Sequence, residues 1–184
     1  MRALPKAAIK ARNSSIHGRG VYAARDIPAY SFVTEYTGER ITVGEVNRRE
    51  KRRRDRLAAG QSAYAKGDDE ACDYLFLLDD QKYAIDGRDS GNVARLINHS
   101  CEANCCSDII DGRVWIISTH DIAKGEELTF DYGYTFRDGL HNPCLCGKPS
   151  CVGFIVASDQ RWRVKRWRRS QARAPETELL SGRK

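Results

Sequence analysis

The chain is divided into short apolar segments, each bounded by glycine, proline or acidic residues. Residues 31–36 alternate apolar and polar positions and are rich in β-branched and aromatic side chains. Similar segments lie at residues 74–78, 82–87, 114–119 and 128–132. Such runs between turn residues are typical of β-strands. The sequence therefore predicts a mainly β fold with short helices.

Between these segments, residues 43–59 contain good helix formers and no proline, and Gly60 follows them. This pattern predicts one clear internal helix. Residues 61–73 predict a polar loop. Residues 74–78 predict a buried strand, and residues 82–87 its hairpin partner.

One glycine motif suggests a different fold and must be weighed. Gly18-Arg19-Gly20 begins a formal match to the dinucleotide-binding fingerprint. The fingerprint requires an apolar strand before it and a long helix after it. Residues 11–17 are polar and Pro28 soon follows, so we expect neither element and no Rossmann fold.

Composition indicates a globular chain of one domain. The 184 residues are 41% hydrophobic and 30% charged, a balance that can bury a core. No apolar run approaches the ~18 residues of a membrane helix. The first ten residues lack the apolar segment of a signal peptide. We therefore expect an intracellular protein.

Charge is unevenly distributed around a net value of +6. Residues 48–56 and 161–173 are two basic blocks, and an acidic stretch lies between them: Asp68, Asp69, Glu70, Asp73, Asp79 and Asp80. Each basic block is interpreted either as a solvated face or as a site for nucleic acid or an acidic partner. Trp162 and Trp167 lie within the second block, where a helix could dock on the domain, on nucleic acid or on an anionic surface.

Seven cysteines cannot all pair within one chain. Cys144, Cys146 and Cys151 form a Cys-x-Cys-x4-Cys motif, which in a reducing compartment indicates a metal site. Zinc prefers four such ligands. Cys101, His141 and Cys105 are the candidates for the fourth position. Unused cysteines, including Cys72 and Cys106, are interpreted as small buried or free thiols.

Two further segments concentrate chemically informative side chains. Residues 95–105 contain Arg-Leu-Ile-Asn-His-Ser-Cys followed by Asn104, and residues 125–134 contain Glu-Glu-Leu-Thr-Phe-Asp-Tyr-Gly-Tyr. Taken alone, Asn98 and His99 could cap turns, and the tyrosines could be core aromatics.

Taken in order with Gly-x-Gly-Val and Glu-Tyr-x-Gly-Glu upstream and the cysteine motif downstream, these segments resemble a SET domain followed by its post-SET zinc loop. The resemblance covers about residues 15–154. It implies the β-clip fold, in which several small sheets surround a pseudoknot. The expected domains are a 1–14 extension, a 15–134 SET domain with an insert at about 43–80, a 141–155 zinc loop and a 156–184 basic tail. Residues 1–14 contain no cysteine, so we expect the minimal form without a pre-SET cluster.

The resemblance also assigns roles to residues. Tyr132 is expected to be catalytic, Tyr36 to line the lysine channel, and Phe130 to occupy a position that family members fill with Phe or Tyr. Cys101 is favoured as the fourth zinc ligand. The expected S-adenosylmethionine contacts are Gly18, Arg19, Gly20, Tyr22, Arg95, Asn98, His99, Leu145 and Cys146.

These roles predict methyl transfer to a lysine amine in a basic, histone-like protein or peptide. Phe130 lacks a hydroxyl that could hold a water, which favours di- or trimethylation. The acidic stretch is expected to face a basic peptide. The alternative hypothesis is a binding module: a catalytically silent SET fold, or a zinc-containing protein that binds nucleic acid.

Overall fold

The structure is a computed structural model that describes residues 4–60, 74–78, 81–88 and 91–171. The predicted polar loop, the acidic stretch, Cys72 and residues 172–184 lie outside the described residues. Within the described part of the chain, every helix is too short or too polar to cross a bilayer.

Ten strands and three α-helices are assigned in the described residues. The strands are β1 (Ile9–Asn13), β2 (Arg19–Ala23), β3 (Phe32–Tyr36), β4 (Glu39–Thr42), β5 (Leu75–Leu77), β6 (Tyr83–Asp86), β7 (Asn98–His99), β8 (Cys105–Ile110), β9 (Arg113–Ser118) and β10 (Glu127–Phe130). The helices are α1 (Val43–Ala58), α2 (Phe136–Gly139) and α3 (Arg161–Gln171). The mainly β fold class predicted from the sequence is confirmed.

The chain divides into two compact units. The first unit comprises Met1–Asn98 and Asn104–Phe130, and the second comprises His99–Ala103 and Asp131–Lys184. A short segment around Cys101 thus belongs with the C-terminal part of the chain.

The first unit contains two sheets. One has the strand order β1-β2-β10-β8-β9-β3, and the other has the order β4-β6-β5. Asp111 and Gly112 both have positive φ between β8 and β9, which suits the tight turn of a two-residue hairpin. Val21 in β2, Ile116 in β9 and Leu128 in β10 are fully buried and belong to the core.

Several local predictions need correction. A strand, β1, does precede Gly18, but it pairs antiparallel with β2 as a hairpin, which is not a Rossmann arrangement. The segment predicted as a buried strand at residues 74–78 forms β5, yet Leu77 is 52% exposed. The strand predicted at 128–132 ends at Phe130. Strand β8 was not predicted.

The second unit has a small core of its own. Val152, Val156 and Val164 are buried together, and Phe136, Leu140 and Phe154 pack against them. Gly139 lies so close to Ile155 that a Cβ there would come within 2.2 Å of the Ile155 carbonyl oxygen. This packing fixes α3, which contributes Val164, beside the cysteine-rich loop.

Candidate active site and metal centre

The Gly18 turn of the first unit is held by one buried amide. Gly18 has φ +45° in the β1–β2 hairpin, a conformation that glycine adopts without strain. Asn98 Nδ2 donates to the carbonyl oxygens of His17 at 3.2 Å and Arg19 at 3.1 Å. A Cβ built on Gly18 would meet no atom within 4 Å. The turn is therefore fixed in position while its surface at Gly18 stays open.

Glu127 links this turn to the neighbouring strands. Its Oε1 accepts from Asn98 at 2.9 Å and from the Ser14 hydroxyl at 2.7 Å, and its Oε2 accepts from the Tyr22 hydroxyl at 2.9 Å. Burial and the adjacent carboxylate raise the pKa of Tyr22. A Cβ on Gly20 would approach Glu127 Oε1 to 2.2 Å, so Gly20 makes room for this carboxylate. Sequence reasoning did not single out Glu127.

Tyr36, at the end of β3, is buried in the first unit. Its hydroxyl donates to the Tyr74 carbonyl oxygen at 2.9 Å, and its ring centroid lies 5.7 Å from that of Phe76. A Cβ at Gly87 would come within 2.5 Å of the Tyr36 ring, and its next contact would be the Asn92 amide at 2.6 Å. Tyr36 therefore lies in a tight aromatic and amide environment.

Asn92 has a feature that sequence reasoning missed. Its Oδ1 is the only buried side-chain nitrogen or oxygen of the described residues without a hydrogen-bond partner. Its Nδ2 donates to the Gly87 carbonyl oxygen at 3.3 Å. A buried acceptor without a partner is costly, so this oxygen can receive a donor from a bound molecule or water.

Tyr132 and His99 meet in the second unit. The Tyr132 backbone N–H donates to His99 Nδ1 at 3.2 Å, and the two rings lie 5.4 Å apart, edge to face. Burial lowers the pKa of His99 to about 4, although Asp131 raises it. The imidazole is therefore neutral at pH 7, with Nδ1 as acceptor and its proton on Nε2, which lies 3.7 Å from the Cys101 sulfur.

Arg161 anchors this corner from helix α3. Its guanidinium donates to Asp131 Oδ2 at 2.8 Å, to the Cys101 carbonyl oxygen at 2.6 Å and to the Val156 carbonyl oxygen at 3.0 Å. The Arg161 side chain is 14% exposed. Sequence analysis placed Arg161 only within a basic block, because its partners lie 30 and 60 residues away along the chain.

Four cysteines converge in the second unit. One sulfur each from Cys101, Cys144, Cys146 and Cys151 lies within 4.8 Å of all the others. Cys101 and Cys144 sulfurs are 3.9 Å apart, close to the edge of about 3.8 Å expected for a tetrahedron with Zn–S bonds of roughly 2.3 Å. Four thiolates at this spacing fit a structural zinc ion.

Burial and backbone hydrogen-bond donors shift the pKa values of these thiols in different directions. Burial raises the pKa of Cys101 to about 11 and raises that of Cys144 further. Burial also acts on Cys146, but backbone N–H groups of Cys101 and Lys148 outweigh it and lower its pKa to about 7. The Cys101 N–H lies 3.5 Å from the Cys146 sulfur. Backbone donors to a cluster sulfur are what a thiolate ligand requires.

The rival ligands do not join this cluster. Within the described residues, the metal-binding group holds neither His141 nor Cys105. His141 is exposed, and Cys105 is buried in β8 of the first unit, where burial raises its pKa to about 12. Cys106 is an exposed thiol on the same strand.

The remaining predicted site residues lie in different elements of the chain. Arg95 lies over the Tyr74 ring at 5.0 Å. Arg19 is exposed on β2, and Leu145 is 61% exposed between two cluster cysteines. Phe130 is buried at the end of β10. Each of these assignments stays a prediction.

Comparison with known proteins places the chain in a family. Residues 18–133 match the SET domain model. The chain is 37% identical over 145 residues to histone-lysine N-methyltransferase trr of Drosophila melanogaster, covering 75% of this chain and 5% of that protein. It is 40% identical over 148 residues to the H3 lysine-4 specific histone-lysine N-methyltransferase of Kluyveromyces lactis, covering 77% and 14%. It is 39% identical over 148 residues to the Saccharomyces cerevisiae protein of the same name, covering 77% and 12%. The chain thus spans 14% or less of the length of these relatives, and by its match over residues 18–133 it belongs to the SET domain family.

Proposed function

We propose that the protein transfers methyl groups from S-adenosylmethionine to the side-chain amine of a lysine in a protein substrate. The observation that carries the proposal is the SET domain match, which contains Tyr36, Asn98, His99 and Tyr132. Relatives at 37–40% identity are named histone-lysine N-methyltransferases. The buried, neutral His99 beside Tyr132 supports an ordered catalytic corner.

The proposed cofactor site uses residues whose environment suits a close backbone approach. Gly18 has open space beside it, and Asn98 fixes the turn. When bound, S-adenosylmethionine supplies a methyl group activated by a positively charged sulfur. The residues proposed to hold it are Gly18, Arg19, Gly20, Tyr22, Arg95, Asn98, His99, Leu145 and Cys146.

Tyr132 and Tyr36 are proposed to orient the lysine amine. A lysine side chain has an unperturbed pKa near 10.4 and must lose its proton before it can attack. A narrow aromatic environment disfavours the charged amine by desolvation, which lowers its pKa. The Tyr36 hydroxyl is already committed to the Tyr74 carbonyl oxygen, which supports a role in shaping the channel. Correct alignment supplies much of the rate in such a displacement.

Phe130 supports a proposal about the product. A phenylalanine side chain offers no hydroxyl to hold a water, so more space remains for a methylated amine. We expect di- or trimethylation. In a mass-spectrometric time course, Phe130→Tyr should shift the products toward monomethyl-lysine; an unchanged distribution would exclude this role.

A structural zinc ion on Cys101, Cys144, Cys146 and Cys151 is the second part of the proposal. Four closely spaced sulfurs support it, since structural zinc sites take four ligands with no open position. The ion is proposed to stabilise the fold and to take no part in the chemistry. It would hold Cys101 next to the loop that contains the other three cysteines.

The proposed substrate is a basic protein or peptide, with histones first. Relatives named as H3 lysine-4 specific make the H3 N-terminal peptide the first sequence to test. The acidic stretch at residues 68–80 lies outside the described residues and stays a predicted peptide-binding wall. Reversing the charge at Asp68, Asp69 and Glu70 should raise KM for a basic peptide and leave kcat unchanged.

The decisive experiment measures label transfer from methyl-labelled S-adenosylmethionine. Histones, linker-histone-like basic proteins and cell lysate serve as substrates, and mass spectrometry identifies the modified lysine. We expect a labelled protein band that is lost with Tyr132→Phe. Since one orienting hydroxyl is removed, the rate should fall by about 100-fold or more.

Two matched variants control for the loss of a phenol. Tyr134→Phe removes the neighbouring hydroxyl, whose ring lies 5.9 Å from Tyr132, and Tyr30→Phe removes an 80% exposed one. Both should retain most activity. If a folded, zinc-loaded sample neither binds S-adenosylmethionine nor labels any band, the enzyme proposal is wrong and the chain is a binding module.

A further inference from the structure

Helix α3 presents a cationic face away from its own unit. Val164 is fully buried, and at about 100° per residue four side chains fall on the opposite side of the helix. These are Trp162, Lys165, Arg166 and Arg169. All four are exposed, and Trp162 is exposed to 56%. They form an i, i+3, i+4, i+7 stripe, called here the α3 stripe.

The charges of the α3 stripe are not neutralised within the described residues. Helix α3 contains no acidic residue. Its other charged side chains do have partners: Arg161 pairs with Asp131, Arg163 lies over Trp162, and Arg168 lies over the Phe154 ring at 5.4 Å. No carboxylate in the described part of the chain forms an ion pair with Lys165, Arg166 or Arg169.

The helix that carries the stripe is firmly attached. Arg161 holds its first turn through three hydrogen bonds. Val164 and the edge-to-face contact of Trp167 with Phe154 hold the middle. Val164 and Trp167 therefore contact the protein, although Trp167 remains 36% exposed. A fixed helix can hold three cations at constant spacing, which lowers the entropy cost of binding a polyanion.

Charge and geometry favour duplex DNA as the occupant. The distance from Lys165 to Arg169 along the helix axis is about 6 Å. Duplex DNA carries one phosphate charge per roughly 1.7 Å of its axis. The cations of the stripe can therefore contact several phosphates of one duplex. A membrane-binding helix needs a broad exposed apolar face. The α3 stripe contains one apolar residue, and Trp167, the other exposed one, packs against Phe154. Unpaired strands are bound by several stacking aromatics, and the stripe offers one.

We propose that the α3 stripe binds the phosphate backbone of double-stranded DNA without reading its sequence. The three cations contact phosphates, and Trp162 has a minor part. The proposal goes beyond methyl transfer and stands independently of it.

The test compares two triple variants with equal changes in charge. Lys165→Gln, Arg166→Gln and Arg169→Gln remove the α3 stripe; Arg48→Gln, Lys51→Gln and Arg52→Gln remove exposed cations of α1. The affinity of each full chain for a mixed-sequence 25-base-pair duplex is measured by fluorescence anisotropy between about 50 and 200 mM salt. Circular dichroism and zinc content check that each variant folds.

We expect the α3 triple variant to lose tenfold or more in affinity. Its plot of log affinity against log salt should become shallower by about 2–3, close to 0.9 per lost phosphate contact. The α1 triple variant should change the slope by less than 1. Equal losses in the two variants would mean that net charge alone binds DNA, and the proposal would be overturned.

Two further measurements test the choice of duplex DNA. Trp162→Ala should weaken duplex binding less than threefold; a larger loss, together with tighter binding to a single strand of the same length, would assign the stripe to unpaired nucleic acid. Vesicles with about 30% anionic lipid should bind weakly and equally to both triple variants. A loss confined to vesicles would assign the stripe to a membrane surface.

Discussion

The two basic helices have similar numbers of cations, seven in α1 and six in α3, but α1 also contains three acidic residues and α3 contains none. In α1, Glu45 accepts from Arg48, Arg49 and Arg52, and Lys51 pairs with Asp55. In α3, most of the exposed cations have no carboxylate beside them among the described residues. Sequence analysis gave the two blocks the same pair of interpretations.

We infer from this difference that the position of acidic partners affects what a basic block can bind. Arg49 also bonds Asp86 and Glu39, which lie in neighbouring strands and outside the block. A helix whose cations are already paired gains little from a polyanion, because the existing pairs must be broken first. The cations of the α3 stripe form no such ion pairs among the described residues, so none has to be broken before a polyanion binds.

The largest expected difference between the two helices is the amide protection that each loses when the metal is removed. A chelator should abolish amide protection in α3, because that helix belongs to the unit that contains the four cysteines. Structural zinc contributes roughly 10–16 kcal/mol in small zinc domains, so protection there should fall by about 100-fold or more. Protection in α1 should change much less. Hydrogen exchange followed by mass spectrometry measures both helices in one sample.

Cys144→Ser is the matched variant for this prediction. It should reproduce the exchange pattern of the chelated protein, and Cys106→Ser, which removes an exposed thiol outside the cluster, should not. Unchanged protection of α3 after complete zinc removal would contradict a structural role for the ion.

The second-largest expected difference between the helices is the loss of kcat when Arg161 of α3 or Arg49 of α1 is replaced by alanine. Arg161→Ala removes a donor from Asp131 and from the Cys101 carbonyl oxygen, and losing one partner of this partly buried pair should cost about 2 kcal/mol. Because Asp131 precedes Tyr132, kcat should fall about tenfold or more while KM for a peptide changes little. Arg161→Lys should restore only part, since an ammonium cannot reproduce the three guanidinium bonds.

Arg49 provides the comparison in α1. Its side chain is 25% exposed and pairs with Asp86, which is 5% exposed, so Arg49→Ala should lower the free energy of unfolding by about 2 kcal/mol. It should lower kcat less than Arg161→Ala does, because its partners among the described residues are Glu39, Glu45 and Asp86. If the two alanine variants lost the same amount of kcat, Arg161 would have only a general stabilising role and not a positioning role at Tyr132.

Truncating one valine in each helix should give a smaller difference, measured as the free energy of unfolding. Val164→Ala removes two methyl groups from a fully buried side chain, which should lower the free energy of unfolding by about 1.5–2 kcal/mol. Val46 in α1 is only partly buried. Val46→Ala should therefore cost less than about 0.5 kcal/mol, because alanine also has the higher helix propensity. Chemical denaturation of both variants tests this difference, which would be refuted by equal losses.

The fold class could be predicted because it depends on local pattern. The segments around Phe32, Tyr83 and Val114 carry strand periodicity in their own residues, and each forms a strand. Strand β1 could not be predicted this way, because after Ile9 its residues are mostly exposed and polar. What makes it a strand is its pairing with β2, and pairing is not visible in a local window.

Some residues of the candidate site could be predicted from the sequence, and others could not. The cysteine cluster was found because three of its members lie close in sequence and the resemblance supplied Cys101. Glu127 and Arg161 were not found, because their roles come from distant partners: Ser14 lies 113 residues from Glu127. A charged residue within an ordinary charged run carries no local signal of such a contact.

The smallest expected effect is a gain in DNA affinity when the arginines of α1 lose an acidic partner. Glu45→Gln removes the carboxylate shared by three arginines and leaves their charge in place. If acidic partners are what keeps α1 from binding DNA, the affinity of the variant for the 25-base-pair duplex should rise by about two- to threefold. Glu39→Gln, which removes a carboxylate that pairs with Arg49 alone among the described residues, should raise it less.

The pH dependence of Glu45 supplies an independent measurement of the same pairing. Hydrogen bonds from Arg49 and Arg48 lower the pKa of Glu45 to about 2. A folded-state pKa below the ordinary value of 4.5 means that its stabilising contribution is present above pH 4.5 and is lost as the pH falls toward 2. The difference in unfolding free energy between wild type and Glu45→Gln should therefore be constant near pH 7 and shrink below pH 4.5. A gain in DNA affinity without this shrinkage would mean that the removed charge acts at long range. In that case the contrast between α1 and α3 would reflect the net charge around each helix more than the pairing of its arginines.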